Sequence, residues 1–254
     1  MKSKLIWTVC LSALLLSCGS GETKKTEDSR PEQTESTASA STEEPKEVQN
    51  KTKLGIDVSH FQGDINWEEI KEAGILFAYD KATQGETYVD PDFKENQVGA
   101  KNAGLVHGSY HFFMSNDDPL SQAKLFVSNA GYEKGDLPPV LDLESGGIKG
   151  DISAADFEKN VLIWLEHVES QLGVKPIVYT NHSFGDQYLS DAKLAEYHLW
   201  VAEYGVEKPK VPKVWAEKGW LIWQRSERGA VEGAVGQVDH DLYNPDKAAI
   251  VKFE

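Results

Sequence analysis

Cysteine is almost missing: there are two in 254 residues, Cys10 and Cys18. A disulfide framework or a cysteine-built zinc site is therefore excluded beyond residue 18, and the 40% hydrophobic and 10% aromatic content must supply a buried core instead. Positive charge is also in short supply, with 26 Lys plus Arg against 41 Asp plus Glu and a formal net charge of −15. That sign excludes a sequence-independent grip on nucleic acid or anionic lipid. The deficit is uneven. Residues 1–18 carry Lys2 and Lys4 and no acid, residues 19–50 carry eight acids and four bases, and the remainder holds 33 acids against 20 bases. Acidity spread this way is read as solubility rather than as a cation site.

The first 17 residues combine a basic start, an apolar stretch from Leu5 to Leu16 and a small residue, Ser17. This is the pattern of a secretory signal, too short to be a stable membrane span. Leu15-Leu16-Ser17-Cys18 resembles a bacterial lipoprotein cleavage box, although Leu16 stands where a small residue is more usual. The expectation is cleavage before Cys18, lipid on Cys18, loss of Cys10 and a membrane-anchored lipoprotein of the cell envelope, facing the periplasm or the surface. Residues 19–50 contain ten Ser or Thr and one larger aliphatic, Val48, too little apolar surface to offset ordering the chain. We expect residues 18–50 to be a disordered tether able to extend roughly 110 Å at ~3.4 Å per residue, and residues 51–254 to be one domain.

From Lys53 onward, short apolar runs alternate with helix-like stretches. Strands are predicted at Leu54–Ser59, Ile75–Lys81, Leu105–Phe113, Val140–Glu144, Pro176–Thr180, His198–Glu203, Leu221–Gln224 and Gly236–Leu242. Asn66 with Glu69 marks a helix start and Gly74 its stop; Asp118-Pro119 opens a second helix; Ser153 with Asp156 opens a long one that ends near Gly173. The alternation predicts an α/β fold, a parallel sheet wound into a (β/α) barrel that is compressed and incomplete relative to the usual ~250 residues.

Barrel chemistry gathers at strand C-terminal ends, and this chain puts acids there: Asp57, then Asp142 and Glu144, then Asp239. Period-two alternation directs Val140, Asp142 and Glu144 into the lumen and Leu141 and Leu143 outward. Carboxylates ~6.6 to 6.8 Å apart along one strand face resist ionising together, which is how a general acid is raised toward neutral pH. Such acids also cap helices or meet solvent, so no single one is decisive. Aromatic residues share these strand ends: Tyr79, Tyr110, Phe112, Tyr179, Trp200, Tyr204 and Trp223. Acids within aromatic walls suit a carbohydrate cleft, where rings stack on sugars. Trp67 and Trp164, within helix patterns, are expected in the core.

Gly55-Ile56-Asp57-Val58-Ser59 with Gln62-Gly63 and Trp67 resembles the opening motif of glycoside hydrolase family 25, the bacterial and phage N-acetylmuramidases. Lys81-Ala82-Thr83-Gln84-Gly85, Gly108-Ser109-Tyr110-His111-Phe112, Pro139 to Glu144, Pro176 to Thr180, Leu199 to Tyr204 and Trp223-Gln224 resemble its later blocks, in order, over essentially all of 53–244. The resemblance implies a flattened barrel and cleavage of the β-1,4 bond after N-acetylmuramic acid in peptidoglycan. It implies catalytic acids at Asp57, Asp142, Glu144 and Asp239, with Glu144 the proton donor. Tyr110 and Tyr179 match its lumen tyrosines. We add Tyr204 and Trp223 as sugar-binding candidates and expect a monomer acting on glycan strands without cofactor or metal. Two departures stand out. Asp80 replaces a usually apolar residue and is expected to add charge near the cleft, and Val238-Asp239-His240-Asp241 replaces a commoner Asp-Leu-Asn ending.

Two other functions compete. His107 and His111 have the spacing of a zinc pair for a polysaccharide deacetylase. On a strand, though, four residues span ~13 Å, beyond two ~2 Å bonds to one ion. A glycan-binding module that lost its chemistry is the other, and the presence of all four acids argues against it.

Overall fold

The computed structural model describes residues 53–253; the expected signal, Cys18 and most of the expected tether lie outside them. Nine strands form one sheet: β1 (Leu54–Val58), β2 (Ile75–Gln84), β3 (Tyr88–Val89), β4 (Val106–Phe112), β5 (Val140–Asp142), β6 (Ile177–Asn181), β7 (His198–Ala202), β8 (Ile222–Gly229) and β9 (Val238–Tyr243). Eight of them close into a barrel because β1 pairs with both β2 and β9, while β3 hangs on the edge of β2 as a short hairpin arm.

The ring differs from the expected parallel sheet in one stave. β9 runs antiparallel to both β8 and β1. The reason is the connection: β8 and β9 are joined by a short loop, too brief for the crossover that a parallel return requires. Incompleteness lies in the outer layer. Helices α1 (Trp67–Glu72), α2 (Phe93–Asn102), α3 (Pro119–Asn129), α4 (Ala154–Leu172) and α5 (His182–Tyr188) occupy the crossovers up to β7, whereas the β7–β8 connection holds only a 3-10 turn and the β8–β9 connection no helix. Among the described residues no helix is long and apolar enough to cross a membrane.

The helix boundaries follow their caps. The side chains of Asn66, Asp118 and Ser153 accept from the N–H groups of Glu69, Ser121 and Asp156, Pro119 occupies the first turn of α3, and α4 stops at Gly173 in the left-handed region (φ 69°). Each strand sends alternate residues to two sides. Leu141, Leu143, Val178, Leu199 and Val201 join Phe126, Phe157, Trp164 and Leu165 in the outer core, with Trp164 fully buried. Trp67 is buried in a second cluster with Ile56 and Ile70. Phe77, Tyr79, Val140, Ile177, Trp200, Ile222 and Tyr243 fill the lumen. Tyr79 packs on Trp200 at 4.8 Å, and its hydroxyl donates to the Pro138 carbonyl at 3.0 Å. Gly108 makes room for it: a Cβ there would sit 2.3 Å from the Tyr79 ring. This plug is the floor on which the open end of the barrel is built.

Candidate active site

Above the plug opens a cleft of about 220 Å³, lined by Asp57, Asp142, Glu144 and Asp239 together with Lys81, Tyr110, Phe112, Tyr179, Trp200 and Gln224. Four acids from three parts of the chain thus converge. Asp57 stands one residue from the end of β1, Asp142 closes β5, and Glu144 follows in extended backbone (φ −146°, ψ 170°) as the chain enters a 3-10 turn. Asp239 lies at the start of β9 and pairs in register with Asp57. The expectation of a strand C-terminal end is corrected for this residue: because β9 is reversed, its beginning comes to the end of the barrel where the parallel strands finish.

One residue organises the group. Gln224 on β8 donates from Nε2 to Asp57 Oδ2 at 2.7 Å, and its Oε1 accepts from the hydroxyls of Tyr179 at 2.9 Å and Tyr204 at 2.5 Å. The primary amide is thereby oriented on both sides, as a bridge between acid and tyrosines. The sequence reading missed Gln224 as a site residue, although alternation offered the signal: Ile222 faces the lumen, so Gln224 must as well. The same parity corrects Trp223. It packs in the outer core and donates from Nε1 to the Glu203 carbonyl at 2.7 Å, away from the cleft. Tyr110 and Tyr179 line the cleft, and Tyr204 stands at its rim, 41% exposed, held by Gln224. Tyr79 belongs to the floor.

Asp80 is corrected too. It faces the outer layer, where it is buried and hydrogen-bonded to His107 Nε2. His111 lies between Thr83 Oγ1 (2.7 Å) and Gln122 Oε1 (3.1 Å) and stacks on Trp164 at 5.5 Å. Both histidines are engaged in the outer layer, and among the described residues no group of three or more His, Cys, Asp or Glu is arranged to hold a metal. The cation in the cleft is Lys81, whose Nζ donates to Gln84 Oε1 at 2.6 Å and lies 4.8 Å above the Phe112 ring.

Burial governs the electrostatics. Asp142 is pushed well above the usual carboxylate range, first by burial and then by the charge of Glu144, with Lys81 opposing. Glu144 is raised by burial and partly restored by Lys81. Asp57 is raised well above its ordinary value by burial and by Asp241 and Asp239, against the Gln224 donor. Burial brings Asp239 to about 6. Asp241, absent from the expected site, is fully buried beneath Asp57, accepts from Trp200 Nε1 at 3.0 Å, and is raised chiefly by burial. The cleft holds more carboxyls than it can ionise at once, so protons remain in it near neutral pH. It can protonate a leaving oxygen at one position while an ionised acid supports charge at another.

The model of glycosyl hydrolases family 25 matches residues 56–234. The chain belongs to that family. Its relatives include the uncharacterized protein YegX of Escherichia coli K12, 38% identical over 75% of this chain and 69% of that protein, and lysozyme M1 of Streptomyces globisporus, 36% identical over 78% and 69%. Among solved structures, the bacterial lysozyme of Streptomyces coelicolor superposes with a TM-score of 0.71 at 36% identity, over 76% of this chain and 92% of that one. This family 25 chain is accordingly a glycoside hydrolase with the barrel of its relatives.

Proposed function

We propose that this family 25 hydrolase is an N-acetylmuramidase that cleaves the β-1,4 bond between N-acetylmuramic acid and N-acetylglucosamine in peptidoglycan. The observation that carries the reading is the convergence of Asp57, Asp142, Glu144 and Asp239 in one aromatic-walled cleft. Lysozyme M1, an autolytic lysozyme of Clostridium acetobutylicum and an N,O-diacetylmuramidase of Chalaropsis sp. are relatives whose names describe the same chemistry.

In this reading Glu144 gives its proton to the glycosidic oxygen. Asp142 and Glu144 are too close, and Asp142 too buried, for both to be charged. When a 2-acetamido N–H donates to Asp142, it stabilises the ionised form of Asp142 and leaves the shared proton on Glu144. The acetamido oxygen then attacks the anomeric carbon as the leaving group departs, and water opens the resulting ring with net retention. Asp57, fixed by Gln224, and Asp239 bind and polarise the sugar. Support for this substrate-assisted route comes from the two-residue spacing of Asp142 and Glu144 on one strand face.

The test is release of new muramic acid reducing ends from purified peptidoglycan, followed by the anomeric configuration of the first-formed product. Reducing ends on N-acetylglucosamine would overturn the bond assignment. Inversion would overturn the acetamido nucleophile and leave water activated by Asp57 or Asp239. Full activity in a chelator separates the reading from a metal-dependent deacetylase.

We also propose that Cys18 carries lipid and that residues 18–50 tether the catalytic domain, residues 51–254, to an envelope membrane as a monomer. Lys2, Lys4, the apolar run and Ser17 before Cys18 support this reading. Intact mass of the membrane-associated protein tests it: cleavage elsewhere, or no acyl mass, refutes it.

A further inference from the structure

The cleft does not end at the acids. Immediately after Asp57 the chain makes a 3-10 turn, His60–Gln62, whose middle residue, Phe61, lines the same cleft. At 80% exposure it is the most exposed large hydrophobic side chain among the described residues. A lone exposed apolar residue ordinarily needs no explanation. Phe61 differs because its surroundings hold it still. Ser59 Oγ accepts from the Phe61 N–H at 3.3 Å, Gln62 Oε1 accepts from the Ser59 N–H at 2.9 Å, and Gln62 Nε2 reaches the Gln237 carbonyl at 3.4 Å.

A backing wall stands behind the ring. The His60 imidazole lies 4.1 Å from Phe61 and 6.2 Å from Tyr88 on β3. His60 Nδ1 donates to the buried Asp90 Oδ2 at 2.6 Å and has the Tyr88 hydroxyl at 3.2 Å. Tyr88 in turn receives Lys81 Nζ at 5.7 Å from its ring centre, and Lys81 lies in the cleft beside Phe112. A series of ring and cation contacts, anchored by the buried Asp90, therefore links exposed Phe61 through His60, Tyr88 and Lys81 to Phe112 in the cleft. An exposed ring carried on a hydrogen-bonded turn, backed on one side by His60 and lining the cleft, costs less ordering entropy to cover than one on a mobile loop.

We infer that Phe61, backed by His60 and Tyr88, is a stacking platform for a pyranose ring of the glycan strand lying beyond the sugars at the cleaved bond. This deepens the muramidase reading and rests on it. The platform favours long strands over short ones, because only a strand that extends past the acids reaches it, and it contributes through binding rather than through the chemical step.

Peptide-free glycan strands of graded length and the inactivated Glu144→Gln chain isolate binding from turnover. Adding Phe61→Ala should weaken binding of strands of roughly ten sugars by about tenfold, ~1.4 kcal/mol, and leave a tetrasaccharide within about twofold. Phe61→Trp should restore the long-strand affinity. In the active enzyme Phe61→Ala should raise KM for long strands while kcat stays within about twofold. Equal weakening at both lengths, or none at either, overturns the platform. Weakening only on strands that keep their peptide stems overturns the sugar assignment, since the ring then meets peptide. If the Glu144→Gln parent binds no glycan of any length, the muramidase reading falls first and the platform with it.

Discussion

Two sets of buried polar side chains lie on opposite faces of the barrel wall and behave differently. On the outer face, His111 is enclosed by Thr83, Gln122 and Trp164, and both its ring nitrogens have partners. Burial lowers its pKa to about 3, so it stays neutral across the working range. On the lumen face, Asp57, Asp142, Asp239 and Asp241 crowd one another, and the buried atoms Asp142 Oδ1 and Asp241 Oδ2 have no hydrogen-bond partner in the protein. The His111 side chain is satisfied and stays neutral, although Trp164 Nε1, Asp80 Oδ2 and His107 Nδ1 on the same face have no partner. The inner carboxyls raise one another's pKa values and leave two oxygens free to accept from a ligand. Neither buried polarity nor an unpartnered atom alone marks the site; the crowding of several carboxyls in one cleft does.

The sharpest way to break the contrast is Glu144→Gln. The amide keeps the shape and cannot deliver a proton, so muropeptide release should fall about 10³-fold while thermal midpoint stays level or rises. Retention of near wild-type turnover by a folded protein would remove Glu144 from the donor role. The converse probe lies on the outer face. Trp164→Ala should cost about 3–5 kcal/mol of stability, read from urea unfolding, with little loss of turnover per folded molecule at low temperature. A large kcat defect in that folded fraction would show that the two faces are not separable.

A subtler test uses pH. Asp239 is raised from 3.8 to about 6, so it binds its proton more tightly folded than unfolded. Its contribution to stability is fully present below about pH 3.8 and is lost as pH rises through about 6. Asp239→Asn should flatten that part of the stability profile between pH 4 and 6, and an unchanged slope would contradict the shift. The smallest effect is expected at Asp241. Burial favours its protonated form, so Asp241→Asn, which preserves an acceptor for Trp200 Nε1, should leave turnover within about twofold and raise the melting temperature slightly at pH 7. A marked loss of turnover would mean that the charged form is needed.

Most of the ring was legible because strand parity and helix caps are local signals. Asn66, Asp118, Ser153 and Gly173 each marked a boundary by their own chemistry. The alternation through Val140, Leu141, Asp142 and Leu143 assigned both faces of β5 correctly. What escaped was set by partners distant in sequence. The reversal of β9 follows from β8 running on to Gly229 and leaving only a short connection, and nothing within Val238–Tyr243 announces it. Asp80 looked like surplus charge because its partner, His107, sits on another strand. Trp223 was misjudged for a different reason: its aromatic character outweighed the parity that already placed Gln224 inward.

The closing seam also sets the order in which the enzyme comes into being. Asp57 is held by Gln224, 167 residues away, and faces Asp239 across a pairing that joins the first strand to the last. A chain interrupted before Val238 has seven staves, an open edge and no fourth acid. Ring closure joins the two ends of the domain's sequence, a long-range pairing of the kind that folds slowly.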